Sequence, residues 1–214
     1  MKSSVKVFKF GGASRKDASS VKNVIKILNQ YRSDKLVIVV SAMGKTTNAL
    51  EEVVGAHSNR TGKANEILET IKAQHYGIVE ELFGPEHEVY ATVNDTFVEI
   101  DWILEEETHE NFDYMYDQIV SVGELVSSKI VAAYLNHCNL PTQWLDARDV
   151  ILTDDIFREG WVMWEETLER SKRIARPMLE KPGFVLTQGF IGSTTENFTT
   201  TLGREGSDYT AAIF

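Results

Sequence analysis

Leu36-Val37-Ile38-Val39-Val40 is a run of apolar residues, nearly all β-branched, with no polar residue to interrupt it. Such a run suits a strand buried on both faces, as in a parallel sheet covered by helices. Ahead of it, residues 5–10 alternate and stop at Gly11-Gly12, which reads as a strand ending in a tight loop. Between the two, residues 17–31 carry Val21, Val24, Ile25 and Leu28 at helical spacing. Strand, helix and strand in that order make a parallel βαβ unit. The expected class is therefore α/β, a three-layer sandwich with a mostly parallel sheet.

Residues 46–137 read as mostly helical and rich in Glu, with breaks at Gly84-Pro85 and near Asn111. Acidic stretches such as Glu105-Glu106-Glu107 are expected on solvated surface and not at a metal. Strand signals return at residues 142–146 and 184–188, with an amphipathic helix at 164–179 between them. Residues 192–206 are rich in Thr, Ser and Gly and read as a loop. Ser207 then caps an apolar stretch of Tyr209, Ala211, Ala212, Ile213 and Phe214. That helix has barely begun where the sequence stops, and no Gly, Asn or basic residue closes it. Residues 1–214 are thus expected to form part of one domain, truncated at the carboxyl end.

A net charge of −10 argues against a nucleic-acid surface, which needs clustered Lys and Arg. An anionic ligand must instead be drawn in by a local arrangement. Cys138 is alone, forms no internal disulfide, and reads as a small core residue on a helix. Near the amino terminus, Lys2 and the interruptions at Lys6 and Lys9 do not suit a signal peptide, and no segment approaches a transmembrane span. The expected location is cytoplasmic, with no membrane partner.

Four segments have the character of a site. Lys9-Phe10-Gly11-Gly12, with Ser14, sits at a strand-to-loop junction where glycines let backbone N–H groups approach a phosphate beside a lysine. It is not a Walker-type loop, since the lysine precedes the glycines, and an ordinary turn remains the alternative. Ser41-Ala42-Met43-Gly44 with Thr46-Thr47-Asn48 follows the buried strand, where open α/β sheets bind ligands; helix capping by Thr46 or Thr47 is the other reading. Ser121-Val122-Gly123-Glu124 places a glycine inside a helical pattern at a cost of about 1 kcal/mol, which asks for close approach by a ligand or loop. Glu124 then turns inward, unless it is simply exposed. Thr201-Leu202-Gly203-Arg204-Glu205-Gly206-Ser207-Asp208 combines an arginine able to grip a carboxylate with a helix amino terminus at Ser207 and Asp208 that favours an anion.

Together with Asp146-Ala147-Arg148 and Gly189-Phe190-Ile191-Gly192, these segments resemble aspartate kinases of the amino acid kinase superfamily, in the same order from Val5 to Phe214. The resemblance implies transfer of the ATP γ-phosphoryl group to the β-carboxylate of L-aspartate, giving 4-phospho-L-aspartate, the first step toward lysine, threonine and methionine. By the same resemblance Lys9 stabilises the moving phosphoryl group, and Phe10, Gly11 and Gly12 belong to the ATP phosphate loop. Asp208 holds Lys9, Arg204 binds the α-carboxylate of aspartate, and Glu124 binds its α-ammonium. Ser41, Thr47 and Ser207 complete the substrate site. ATP arrives with Mg²⁺ on its phosphates, and no protein metal site is expected.

Three departures stand against the family pattern. Glu205 occupies the place of a glycine, Ala13 the place of a threonine, and the strands for the nucleotide base, with the regulatory domains, are not expected within 1–214. By itself this piece is therefore expected to be nearly inactive, and to self-associate into a homo-oligomer through uncovered apolar surface. Two other functions fit the residues: a non-catalytic amino-acid-binding module, and a related kinase acting on glutamate, acetylglutamate or a nucleotide.

Overall fold

The described residues of the computed structural model are 5–214, apart from the side chains of Ala13 and Arg15. Lys2 and the side chain of Ala13 therefore lie outside them. Four strands, β1 (Lys6–Phe10), β2 (Leu36–Val40), β3 (Thr142–Leu145) and β4 (Phe184–Gln188), form a parallel sheet in the order β1-β2-β4-β3. Every residue of β2 is buried, as its unbroken apolar run requires.

The βαβ opening is as expected. Helix α1 (Ala18–Leu28) starts at Asp17, whose Oδ1 accepts from the Ser20 N–H at 2.7 Å, and buries Val21, Val24 and Leu28. From β2 the chain passes through α2 (Thr46–Ser58), α3 (Ala64–Phe83), α4 (Val89–Glu105) and α5 (Phe112–His137) before reaching β3. Gly84, at φ 85°, ends α3, and the Asn111 side chain caps α5 by accepting from the Tyr114 N–H. A further break at 59–63 was concealed by the continuous helical pattern.

Helix α5 corrects the expectation that no segment approaches a membrane span. It is long and apolar enough to cross one, but 78% of its most apolar window is buried inside this fold. Its apolar character belongs to a central core helix. Leu36, Ile38, Val40, Phe184 and Leu186 pack toward α1–α5 on one face of the sheet. On the other face Val185 and Leu145 meet Ala175, Ile174, Met178 and Phe214. These last come from a second helical layer: α6 (Trp164–Arg170), a π turn (Ser171–Ala175), α7 (Arg176–Met178), and α8 (Gly206–Ile213). The result is the expected three-layer sandwich.

Three local expectations fail. Residues 192–206 are not a plain loop: β5 (Ile191–Ser193) and β6 (Thr199–Thr201) form an antiparallel hairpin. The threonines that suggested a loop are buried strand residues, because hydroxyl partners wait for them. Thr200 Oγ1 lies 2.7 Å from Thr153 Oγ1, and Thr201 Oγ1 donates to Asp117 Oδ1 at 2.7 Å. Ser207 is not the cap of α8 either; Glu205 holds that position in the left-handed region at φ 60°, and Ser207 lies inside the helix. Cys138 is the half-buried C-cap of α5, not a core residue.

Candidate active site

The sheet order makes β1, β2 and β4 neighbours, so the loops at their carboxyl ends meet, as in other open α/β sheets. The Ser41 N–H donates to Phe10 O at 3.3 Å, the Gly44 N–H to Gly12 O at 3.2 Å, and the Gly189 N–H to Val40 O at 2.7 Å. Gly12 is needed there, since a Cβ would stand 3.0 Å from Ala42 O and 3.1 Å from Gly44 O. Gly189 is needed more: its Cβ would lie 2.6 Å from the Ser207 side chain, where α8 presses against the turn after β4. The amino end of α8 is thereby brought over the ends of β1 and β2.

Beneath this junction is a cavity of ≈ 790 Å³. Lys9, Ser41, Thr47, Glu124, Arg204, Ser207 and Asp208, all marked by the sequence, line it together. Lys9 Nζ donates to Asp208 Oδ2 at 3.0 Å, and Ser41 Oγ donates to Ser207 Oγ at 2.9 Å. Glu124 is buried on α5, one residue after Gly123. The reason for that glycine is helix packing, not a ligand: a Cβ would meet Leu50 Cδ1 at 3.0 Å and Thr46 Cγ2 at 3.1 Å. The two threonines of α2 divide the structural and the site-facing roles between them. Thr46 is buried with its hydroxyl on Met43 O, Thr47 faces the cavity, and Lys45 holds the N-cap position. Phe10, Gly11 and Gly12 are not part of the lining; they shape the loop beside Lys9.

Lys9, Arg158 and Arg204 share the lining with Asp113, Glu124, Glu159, Glu205 and Asp208. Mixed charge of this kind suits a zwitterionic ligand with an added anionic group better than a bare polyanion. Arg158, Phe190 and Glu205 all have positive φ, at 70°, 75° and 60°, and all three line the cavity. Three of the six non-glycine residues with positive φ among the described residues thus lie on this cavity. Among the described residues no group of three or more His, Cys, Asp or Glu side chains is arranged to hold a metal ion.

The sequence did not single out the wall made by Asp113, Tyr116 and Arg158, nor Asp117 behind it. Asp117 has no exposed surface, yet its carboxylate accepts from the Arg158 N–H, the Thr201 N–H and Thr201 Oγ1 at 2.7–2.9 Å. Burial pushes its pKa up to about 6, against the pull of those hydrogen bonds and the Arg158 charge. Burial and the Glu51 carboxylate, 2.6 Å from its hydroxyl, likewise hold the Tyr116 phenol well above its usual range. A signal existed for Asp117: it lies on the buried face of an apolar helix, seven residues before Glu124 and so on the same side. Arg148, from the Asp146-Ala147-Arg148 motif, is not at the cavity. It pairs with Asp146 and reaches Thr199 Oγ1 at 3.2 Å, pinning the hairpin.

Residues 4–214 match the model of the Amino acid kinase family. Over 211 residues the chain is 33% identical to lysine-sensitive aspartokinase 3 of Escherichia coli, covering 99% of this chain and 46% of that protein. Over 217 residues it is 33% identical to an aspartokinase of Chlamydia trachomatis, covering 97% and 44%. Among solved structures, E. coli aspartokinase III in complex with aspartate and ADP superposes with a TM-score of 0.88 at 31% identity, over 98% of this chain and 45% of that one. The same enzyme with lysine and aspartate gives 0.88 at 32% identity, over 98% and 46%. The chain spans about half the length of the relatives it matches.

Proposed function

The chain belongs to the amino acid kinase family, and on that footing we propose that its cavity binds L-aspartate for phosphorylation on the β-carboxylate by ATP. The observation that carries this reading is the meeting of Lys9, Asp208, Glu124 and Arg204 in one cavity at the carboxyl ends of the parallel strands. Each answers a group of the substrate. Glu124 takes the α-ammonium, Arg204 grips the α-carboxylate, and Ser41, Thr47 and Ser207 supply hydroxyls. The β-carboxylate is then directed toward Lys9.

A side-chain carboxylate ordinarily titrates near about 3.9 and is already ionised at neutral pH, so its oxygen attacks the γ-phosphorus without a general base. The new O–P bond forms as the bond to the departing ADP oxygen breaks, leaving an acyl phosphate. Catalysis of such a step is positioning plus neutralisation of charge on the moving phosphoryl group. Lys9, held by Asp208, supplies the positive charge. Mg²⁺ accompanies the nucleotide on its phosphates.

Calorimetric titration with L-aspartate, then with MgATP, tests the reading. Saturable binding of one L-aspartate, lost in Arg204→Ala, is the expected result. Preference for glutamate, acetylglutamate or a nucleotide as acceptor would overturn the substrate assignment. Formation of a hydroxylamine-trappable acyl phosphate from ATP and aspartate separates a kinase from a binding module.

A further inference from the structure

Arg158 lines the same cavity as Arg204, from a different stretch of backbone. Its backbone sits at φ 70°, a region costly for any residue with a Cβ. Its N–H is held there at 2.8 Å by Asp117, a carboxylate without exposed surface. Its guanidinium lies 4.4 Å over the Tyr116 ring, which is itself fixed by a hydrogen bond to Glu51. One nitrogen, Nη1, donates to Asp113 Oδ1 at 3.2 Å.

The ion pair does not explain this investment. Arg158 and Asp113 are 46% and 54% exposed, and pairs so open to water add little stability. Glycine would fit the backbone without strain, so a requirement for the side chain itself must hold arginine there. Location supplies the requirement. Glu159 forms a β-bridge with Leu202, and the Gly160 N–H donates to Thr201 O at 2.9 Å. The segment carrying Arg158 therefore runs beside the one leading to Gly203 and Arg204, and both arginines enter one cavity from adjacent backbone. A guanidinium has five N–H donors in a planar fork, so the bond to Asp113 leaves it able to meet a carboxylate.

We propose that Arg158 is a second carboxylate-recognising residue, closing with Arg204 on the α-carboxylate of the acceptor amino acid. The proposal rests on the reading of the cavity given above. With the β-carboxylate directed to Lys9, the α-carboxylate is the anionic group left for the arginine wall. Asp117 is then a positioning residue, setting the arginine's backbone from behind, while the Tyr116 ring supports the guanidinium by cation–π contact.

The test is titration of the chain, R158G, R158K and R204A with L-aspartate and with L-aspartic acid α-amide, which lacks the α-carboxylate charge. Glycine relieves the strain at this φ, so R158G is expected to fold, with circular dichroism as the check. R158G should bind L-aspartate about 10-fold more weakly than the unaltered chain, with R158K in between because it keeps the charge and loses the fork. For the α-amide, R158G and the unaltered chain should bind alike. If R204A weakens aspartate binding and R158G does not, this inference fails while the cavity reading stands. An equal loss for both ligands in R158G also overturns it, since the arginine would then act on cavity shape alone. Full affinity in R204A as well, or no binding by the unaltered chain, overturns the reading of the cavity together with the inference.

Discussion

Lys9 Nζ donates to Asp208 Oδ2 at 3.0 Å, joining the first strand to the last helix across 199 positions of sequence. Their side chains are 27% and 64% exposed, and an ion pair this open contributes at most about 1 kcal/mol. Stability does not account for it; the role proposed for Lys9, beside the moving phosphoryl group, would. Lys9→Met should therefore leave the thermal midpoint nearly unchanged and L-aspartate affinity close to that of the unaltered chain. Whatever phosphoryl transfer the parent supports under the proposed function should fall by about 10²-fold or more, as for loss of a preorganised charge. A large drop in the unfolding free energy of this variant would mean the pair is structural.

Glu124 is 3% exposed in the interior of α5, where a carboxylate is kept only if it meets partners or ligand. Glu124→Gln keeps the volume and removes the charge that would face an ammonium. Loss of a charge-assisted hydrogen bond of about 1.5–3 kcal/mol corresponds to roughly 10- to 100-fold weaker L-aspartate binding. MgATP affinity, measured in the same titrations, should not follow. Unchanged aspartate binding would remove Glu124 from the substrate site.

Glu205 sits in the left-handed region at φ 60°, beside Arg204 and at the start of α8. Its side chain is exposed and makes no cap hydrogen bond. A glycine there would relieve strain on the order of 1 kcal/mol and remove a negative charge next to the proposed carboxylate ligand. Glu205→Gly is expected to be at least as stable in urea as the parent and to bind L-aspartate several-fold more tightly. Weaker binding would show that this carboxylate takes part in the site.

The layer order of the fold was legible because burial on both faces leaves a mark that needs no partner: β2 reads as buried from its own five residues. Lys9, Glu124 and Arg204 were legible as a set through family resemblance, since nothing local says that residues 9 and 204 meet. Arg158 and Asp117 were not marked, because their significance lies in a contact across 41 positions. Residues 192–206 read as a loop instead of the hairpin strands they hold for a related reason: buried threonines look like loop residues until Asp117, Gln118 and Thr153 are seen to satisfy them. Residue pattern reports local burial well; polar partners supplied from elsewhere in the chain leave it no trace.

Asp117 gives this polar network a pH signature. Its pKa rises from 3.8 in the unfolded chain to about 6 in the folded one, chiefly through burial. A group that holds its proton more tightly when folded stabilises the fold fully below pH 3.8, and this contribution is lost as pH rises to about 6. Acidification across that window should thus return on the order of 3 kcal/mol from Asp117. His75 runs the opposite way: buried, with its pKa lowered by burial, it withdraws stability as pH falls below 6.5. Asp117→Asn separates the two. The amide oxygen can accept the N–H groups of Arg158 and Thr201, and the amide nitrogen can donate to Thr201 Oγ1, so the hairpin keeps its anchor. At pH 7.5 the variant should be as stable as the parent or more so. At pH 4.5 it should have lost that advantage, having no proton to gain, while the His75 slope stays in both proteins. Urea midpoints at the two pH values decide the matter, and a difference between variant and parent that did not move with pH would mean that Asp117 stays ionised throughout.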